Sequence, residues 1–121
     1  MNAEFFREYC LTKAGVTEGF PFDSKTLVYK VGDKMFALTD VDEFISINLK
    51  CEPTMSLDLR ERYEGILPGW HMNKKHWNTV AVNSDVPETM LQELIDRSYD
   101  LVFDSLPKRI KNEFGDNGKN K

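Results

Sequence analysis

LVYKVGDKMFAL, Leu27 to Leu38, is the stretch that decides how this chain folds. Two runs rich in β-formers, Leu27–Val31 and Lys34–Leu38, flank the pair Gly32-Asp33. A Gly-Asp link between such runs is a two-residue hairpin signal, because the mirror-image turns that suit strand twist need positive φ. Alternation sets Lys30 on the face opposite Tyr29 and Val31. An antiparallel pair with one apolar face therefore seeds the fold.

Upstream, residues 3–14 read as a short helix, with Phe5, Phe6, Tyr9 and Cys10 on adjacent turns and Gly15 at the stop. Val16 to Phe22 reads as extended, with Pro21 near its end. Downstream, Phe44–Leu49 carries the apolar content of a further strand. Pro53 suits the first position of a second helix, whose Met55, Leu59 and Tyr63 form one stripe. Gly65, Pro68 and Gly69 break that helix, and Thr79–Val82 reads as a strand. The third helix has Ser84 or Asp85 as cap and Pro87 as opener. Its face is Met90, Leu91, Leu94, Ile95, Ser98 and Val102.

Short turns between strands favour antiparallel pairing, with helices gathered on one face. The fold class is α+β: two layers, a mostly antiparallel sheet of about five strands packed against helices. Residues 1–107 form the single domain. From Lys108 the apolar pattern fades into KRIKNEFGDNGKNK, which reads as a flexible C-terminal tail, 108–121.

The 121 residues carry a formal charge of −4, which argues against a chain-wide electrostatic grip on nucleic acid but leaves a local basic patch open. One stretch stands apart. PGWHMNKKHWNTV, Pro68 to Val80, holds both tryptophans, both histidines and a lysine pair, and no acid. Either it is a docking surface for an anionic, stackable partner, or it is a plug between parts of the fold. On the first reading Lys74 and Lys75 contact phosphates, Trp70 or Trp77 stacks on an unpaired base, and His71 or His76 donates to phosphate. On the second, Trp77 begins the last strand and packs into the sheet–helix core, and His76 is a hydrogen-bonded framework residue.

The hairpin lysines, Lys30 and Lys34, are secondary contacts to a nucleic-acid groove. Asp33 between them argues for an edge hairpin kept soluble by charge instead. In the second helix Arg60 and Glu64 stand at i, i+4, the spacing of a solvated ion pair. Cys10 and Cys51 lie far apart, as reduced thiols do. No metal-ligand spacing, phosphate-binding glycine loop or nucleophile motif is present, so no metal, no cofactor and no enzymatic role is expected. Neither a signal peptide nor a membrane-spanning run is visible, and the expected setting is the cytoplasm.

Three segments, KVGDKMFAL, ISINLKC and the run from Leu59 to Val102, resemble the MmcQ/YjbR family of small bacterial proteins. The likeness covers roughly Phe5 to Leu106, and its most specific parts are KVGDKMFAL, the block from Pro68 to Thr79 and the ending SYDLV, Ser98 to Val102. It implies a CyaY-like α+β fold, DNA binding through a "double wing" of β-hairpins, and no catalytic residues. One departure is Asp23, where many members carry a glycine shortly after the Pro-Phe pair. The expected function is therefore non-enzymatic binding of DNA through backbone contacts. Its alternative is a protein-interaction or small-ligand module that uses the uncovered sheet face.

Overall fold

The computed structural model describes residues 1–114. Helix α1 (Ala3–Leu11) is followed by strands β1 (Val16–Gly19), β2 (Thr26–Val31), β3 (Lys34–Asp40) and β4 (Ser46–Lys50). Helix α2 (Pro53–Arg62), strands β5 (Ile66–Pro68) and β6 (Trp77–Ala81), and helices α3 (Glu88–Ser105) and α4 (Lys108–Glu113) complete the described chain. All strands join one antiparallel sheet in the order β1-β2-β3-β4-β6-β5. The α+β, two-layer architecture is as expected, with six strands where about five were anticipated. The additional strand, β5, is three residues long and ends at Pro68. It sits at the sheet edge, where a missing N–H breaks no ladder bond.

The Gly32-Asp33 turn forms as read, with positive φ at both residues (57° and 66°). It is not an edge hairpin, however, because β1 covers β2 and β4 covers β3. Its tip is pinned beneath Leu106 and Ile110, so that a Cβ on Gly32 would stand 2.7 Å from Leu106 Cδ2. Above Tyr29 the β2–β3 register slips by one, leaving Phe36 as an extra residue on β3.

Alternation sends Leu27, Tyr29, Val31, Ile47, Leu49 and Val80 to the helical side. There they meet Phe6 and Cys10 of α1, Leu59 of α2, and Leu91, Ile95, Tyr99, Val102 and Phe103 of α3. One polar side chain is wholly buried in the α3 face. Ser98 Oγ accepts from Lys50 N (2.8 Å) and donates to the carbonyl of Phe36 (2.6 Å). Those two groups lie where the β3–β4 ladder would next have closed on itself, so the hydroxyl is stitched between the strands.

Several boundaries differ from expectation. α1 stops at Leu11, ahead of the left-handed Gly15. β4 begins at Ser46 because Phe44 takes φ 46° and turns its ring onto Phe6. α3 begins at Glu88, and Asp85 is spent elsewhere: its carboxylate accepts from Glu64 N and Gly65 N. The tail expected from Lys108 is corrected for its first part. Lys108–Glu113 is helical, and Ile110 and Phe114 pack on the core, Phe114 against Phe103. Residues 115–121 of the expected tail lie outside the described residues.

Candidate nucleic-acid interface

The pairing pattern decides where the charges gather. Val31 pairs with Lys34 at the β2–β3 turn, and Lys50 pairs with Trp77 where the β5–β6 loop feeds into β6. Both hairpin ends therefore lie at the same end of the sheet. That end carries Lys30, Lys34, Lys50, Lys74 and Lys75. The other end, where Thr26 pairs with Asp40, carries Asp23, Asp40, Asp42 and Glu43. A chain of net charge −4 is thus polarised along its strands. The segregation is incomplete, since Asp33 shares the hairpin tip, Glu52 follows Lys50, and Lys25 sits beside Asp23 at the acidic end.

The β5–β6 loop is held by a dense set of local bonds. Gly69 N donates to Trp77 O (2.8 Å), and Trp77 N donates back to Asn73 O (3.0 Å). The Asn73 side chain accepts from Lys75 N (2.9 Å) and His76 N (3.2 Å), an Asx turn. Gly69 is needed for close approach, because a Cβ there would lie 2.8 Å from Trp77 Cβ. From below, the Arg60 guanidinium of α2 donates to Asn78 Oδ1 (2.8 Å) and to the carbonyls of Lys74 and Trp77. The i, i+4 reading of Arg60 with Glu64 is therefore replaced. The helical ion pair in α2 is Arg62 with Asp58, and Arg60 is the clamp under the loop. Spacing alone could not show this, since its partners lie on β6 and the loop.

Each anticipated contact can now be placed. Trp70 is 71% exposed, with its ring edge-on to His71 at 4.7 Å. His71 holds φ 58° and is exposed, as are Lys74, Lys75 and His76. The Lys74 amine reaches back to Gly69 O (2.9 Å). Among the described residues no carboxylate lies within ion-pair distance of Lys74 or Lys75. The framework reading of His76 applies to its backbone, which accepts from Cys51 N at 2.8 Å, while its side chain is left to solvent. Lys34 is exposed and Lys30 half-buried.

Trp77 is 8% exposed and begins the last strand as expected, but on the other face. It packs with Val28, Leu38, Met35 and Met72 in a second cluster, away from the helices. The reason is register. Val80 and Val82 take the helical side, which leaves Trp77 and Thr79 on the open side.

That open side carries a cleft of about 780 Å³, which the site-residue reading did not single out. Phe22, Leu38, Ile45, Leu67, Trp70 and Met72 supply its apolar wall. Asn48 and Thr79 stand in its floor, on paired positions of β4 and β6, and Asp23, Asp40 and Glu43 border one end. The backbone N–H groups of Thr26 and Lys25 hold the Asp23 carboxyl below its usual range. Only the outward apolar residues of alternating strands could have signalled this cleft. Several of its residues, Phe22, Ile45, Trp70 and Met72, lie outside strands.

Taken together, the fold is a small α+β domain with helices on one sheet face, an open cleft on the other, and two hairpin ends aligned at a cationic end. Residues 11–101 match the model of the YjbR family, and the chain belongs to that family. It is 42% identical to YbdF of Escherichia coli O157:H7 over 91 residues, 74% of this chain and 75% of that one. It is 31% identical to YjbR of Escherichia coli strain K12 over 102 residues, 84% and 86% of the two chains. A crystal structure of a Deinococcus radiodurans protein with the DUF419 domain superposes with a TM-score of 0.89 at 38% identity. That match covers 94% of this chain and 88% of that one. A Pseudomonas syringae crystal structure superposes with a TM-score of 0.72 at 31% identity, covering 84% and 99%.

Proposed function

We propose that this chain is a non-enzymatic, cytoplasmic nucleic-acid-binding protein that grips the phosphate backbone with the cationic end of its sheet. The observation that carries the reading is the alignment of two hairpin ends at one sheet end, with the β5–β6 loop presenting Lys74 and Lys75 on a rigid turn free of carboxylates. Lys75 and Lys34 act as point charges on phosphates. His71 and His76 donate as well when protonated. Lys74 and Lys30 support them from the same end of the sheet. Such contacts set orientation and carry little sequence information.

With about three to four phosphates neutralised, log K falls against log salt with a slope near −3. The test is a titration of a labelled duplex at two salt concentrations, with wild type and a Lys74→Glu/Lys75→Glu variant. Binding by wild type at low salt that the variant loses supports the reading. Absence of binding by wild type, or equal binding by both, refutes it. The exposed Phe22, Ile45, Leu67 and Trp70 of the open face favour a second reading, a protein-interaction or small-ligand module. That reading expects affinity indifferent to salt.

A further inference from the structure

The cleft adjoins the loop that carries the cations, since Trp70, His71 and Met72 belong to both. Its volume of about 780 Å³ falls within the roughly 300–1,000 Å³ of small-ligand clefts. Two features make it more than a greasy hollow. Trp70 stands 71% exposed at its rim, held by a backbone N–H bonded to Thr79 Oγ1 at 2.9 Å. Thr79 Oγ1 in turn donates to Asn48 Oδ1 at 2.6 Å. That relay occupies the acceptor of the Asn48 amide, and its Nδ2 donates to no described group. The floor therefore presents amide donors beside an exposed indole.

A duplex hides its base faces in the stack and its pairing edges in hydrogen bonds, so a cleft on a sheet face can stack on only a base that has been splayed out. A flat aromatic body, hydrogen-bond acceptors on its edge and a flanking phosphate fit the indole, the amide donors and the adjoining lysine loop together. We infer that the open-face cleft receives an unpaired base of single-stranded nucleic acid, with the Trp70 indole as stacking platform and the Asn48 amide as donor to the base edge. The carboxylates of Asp23, Asp40 and Glu43 repel phosphate. They hold the strand's backbone at the cationic end and leave only the base to enter. This inference rests on the phosphate-gripping reading above, and it assigns that surface a preference for single strands.

The test uses the full chain with an eight-nucleotide oligo-dC and a mixed-sequence duplex, at low salt, followed by tryptophan emission and anisotropy. The expected result is tighter binding of the single strand, with the emission of the exposed indole quenched. Trp70→Ala is expected to weaken the single strand about tenfold or more, and to leave the duplex within about twofold. Asn48→Asp keeps the acceptor that Thr79 needs and removes the donors; its added charge also repels phosphate, so it is expected to weaken the single strand by clearly more than it weakens the duplex. Circular dichroism checks that both variants fold. A duplex bound as well as the single strand, or an unchanged single-strand affinity in Trp70→Ala, overturns the base site while leaving the phosphate grip standing. Quenching by the single strand that survives Lys74→Glu/Lys75→Glu does the reverse: it keeps the base site and removes the proposed grip.

Discussion

Replacing Ser98 with alanine removes one hydroxyl from the middle of α3 and, with it, a hydrogen-bond partner of two backbone groups. Lys50 N loses its acceptor and Phe36 O loses its donor. Ser98 is wholly buried and the Phe36 side chain is too, so water cannot readily take over. Each backbone group stranded in this way costs about 1–3 kcal/mol. Two such groups would together cost about 2–6 kcal/mol, and partial closure of the strands on each other brings the expected loss to about 2–4 kcal/mol. For a chain of this length each kcal/mol lowers Tm by about 4 °C, so the expected fall is about 8–16 °C. Urea unfolding followed by far-UV circular dichroism measures the free energy, and the midpoint should move at constant m. A loss below about 0.5 kcal/mol would refute the reasoning. It would mean that Lys50 N closes directly on Phe36 O and that the hydroxyl fills a place the ladder can fill by itself.

Two further predictions concern the loops that frame the sheet. The backbone N–H groups of Gly65 and Glu64 hold the Asp85 carboxyl below its ordinary value of 3.8. A lowered folded-state pKa contributes stability that is present above the unfolded value and is lost as pH falls through the folded one. Asp85→Asn should therefore lower Tm at pH 7, with the gap to wild type closing below pH 3.8; a gap that persists unchanged at pH 2 contradicts the assignment. Arg60→Ala removes the clamp under the β5–β6 loop and should cost about 1–3 kcal/mol. In the same variant duplex affinity should drop while the salt slope stays put, because the guanidinium is spent inside the protein; Arg60→Lys should not rescue it, lacking the planar fork.

The parts of the fold legible in the sequence were those written in local chemistry. Gly32-Asp33 announces its turn because few other pairs accept positive φ twice, and the α3 stripe announces its face through seven buried positions at helical spacing. β5 was hidden because three residues ending in proline look like a break, and only its pairing with β6 makes them a strand. α4 was hidden because Ile110 and Phe114 are too sparse to show a period. Their burial comes from Gly32 and Phe103, far away in sequence. For the site, residue types pointed to the right loop but not to the roles within it. Two tryptophans seven residues apart look alike in sequence, but register sets Trp77 on the open face under Met35 and Met72, while Trp70 in the loop is left exposed. Arg60 and Asn48 carried no signal, because each takes its role from a partner on β6.

Charge polarity along the strands follows from the same pairing that makes the sheet. In an antiparallel meander every second connection falls at the same end. Here the β2–β3 turn and the β5–β6 loop share one end, and the β3–β4 turn, with Asp40, Asp42 and Glu43, lies at the other. Gathering most of the connection lysines at one end and most of the acids at the other, with Lys25 and Asp33 as exceptions, is enough to make a cationic end on an acidic chain, with no basic run longer than Lys74-Lys75. A net charge of −4 therefore describes solubility better than it describes binding. It also sets an upper bound on affinity. The carboxylates at the far end lie about one strand-length, roughly 20 Å, from the cations, which is beyond the roughly 10 Å screening length at 0.1 M salt but within the roughly 30 Å one at 0.01 M. Lowering the salt thus strengthens both the attraction at one end and the repulsion at the other, so the salt slope of this protein should be shallower than its count of lysines suggests.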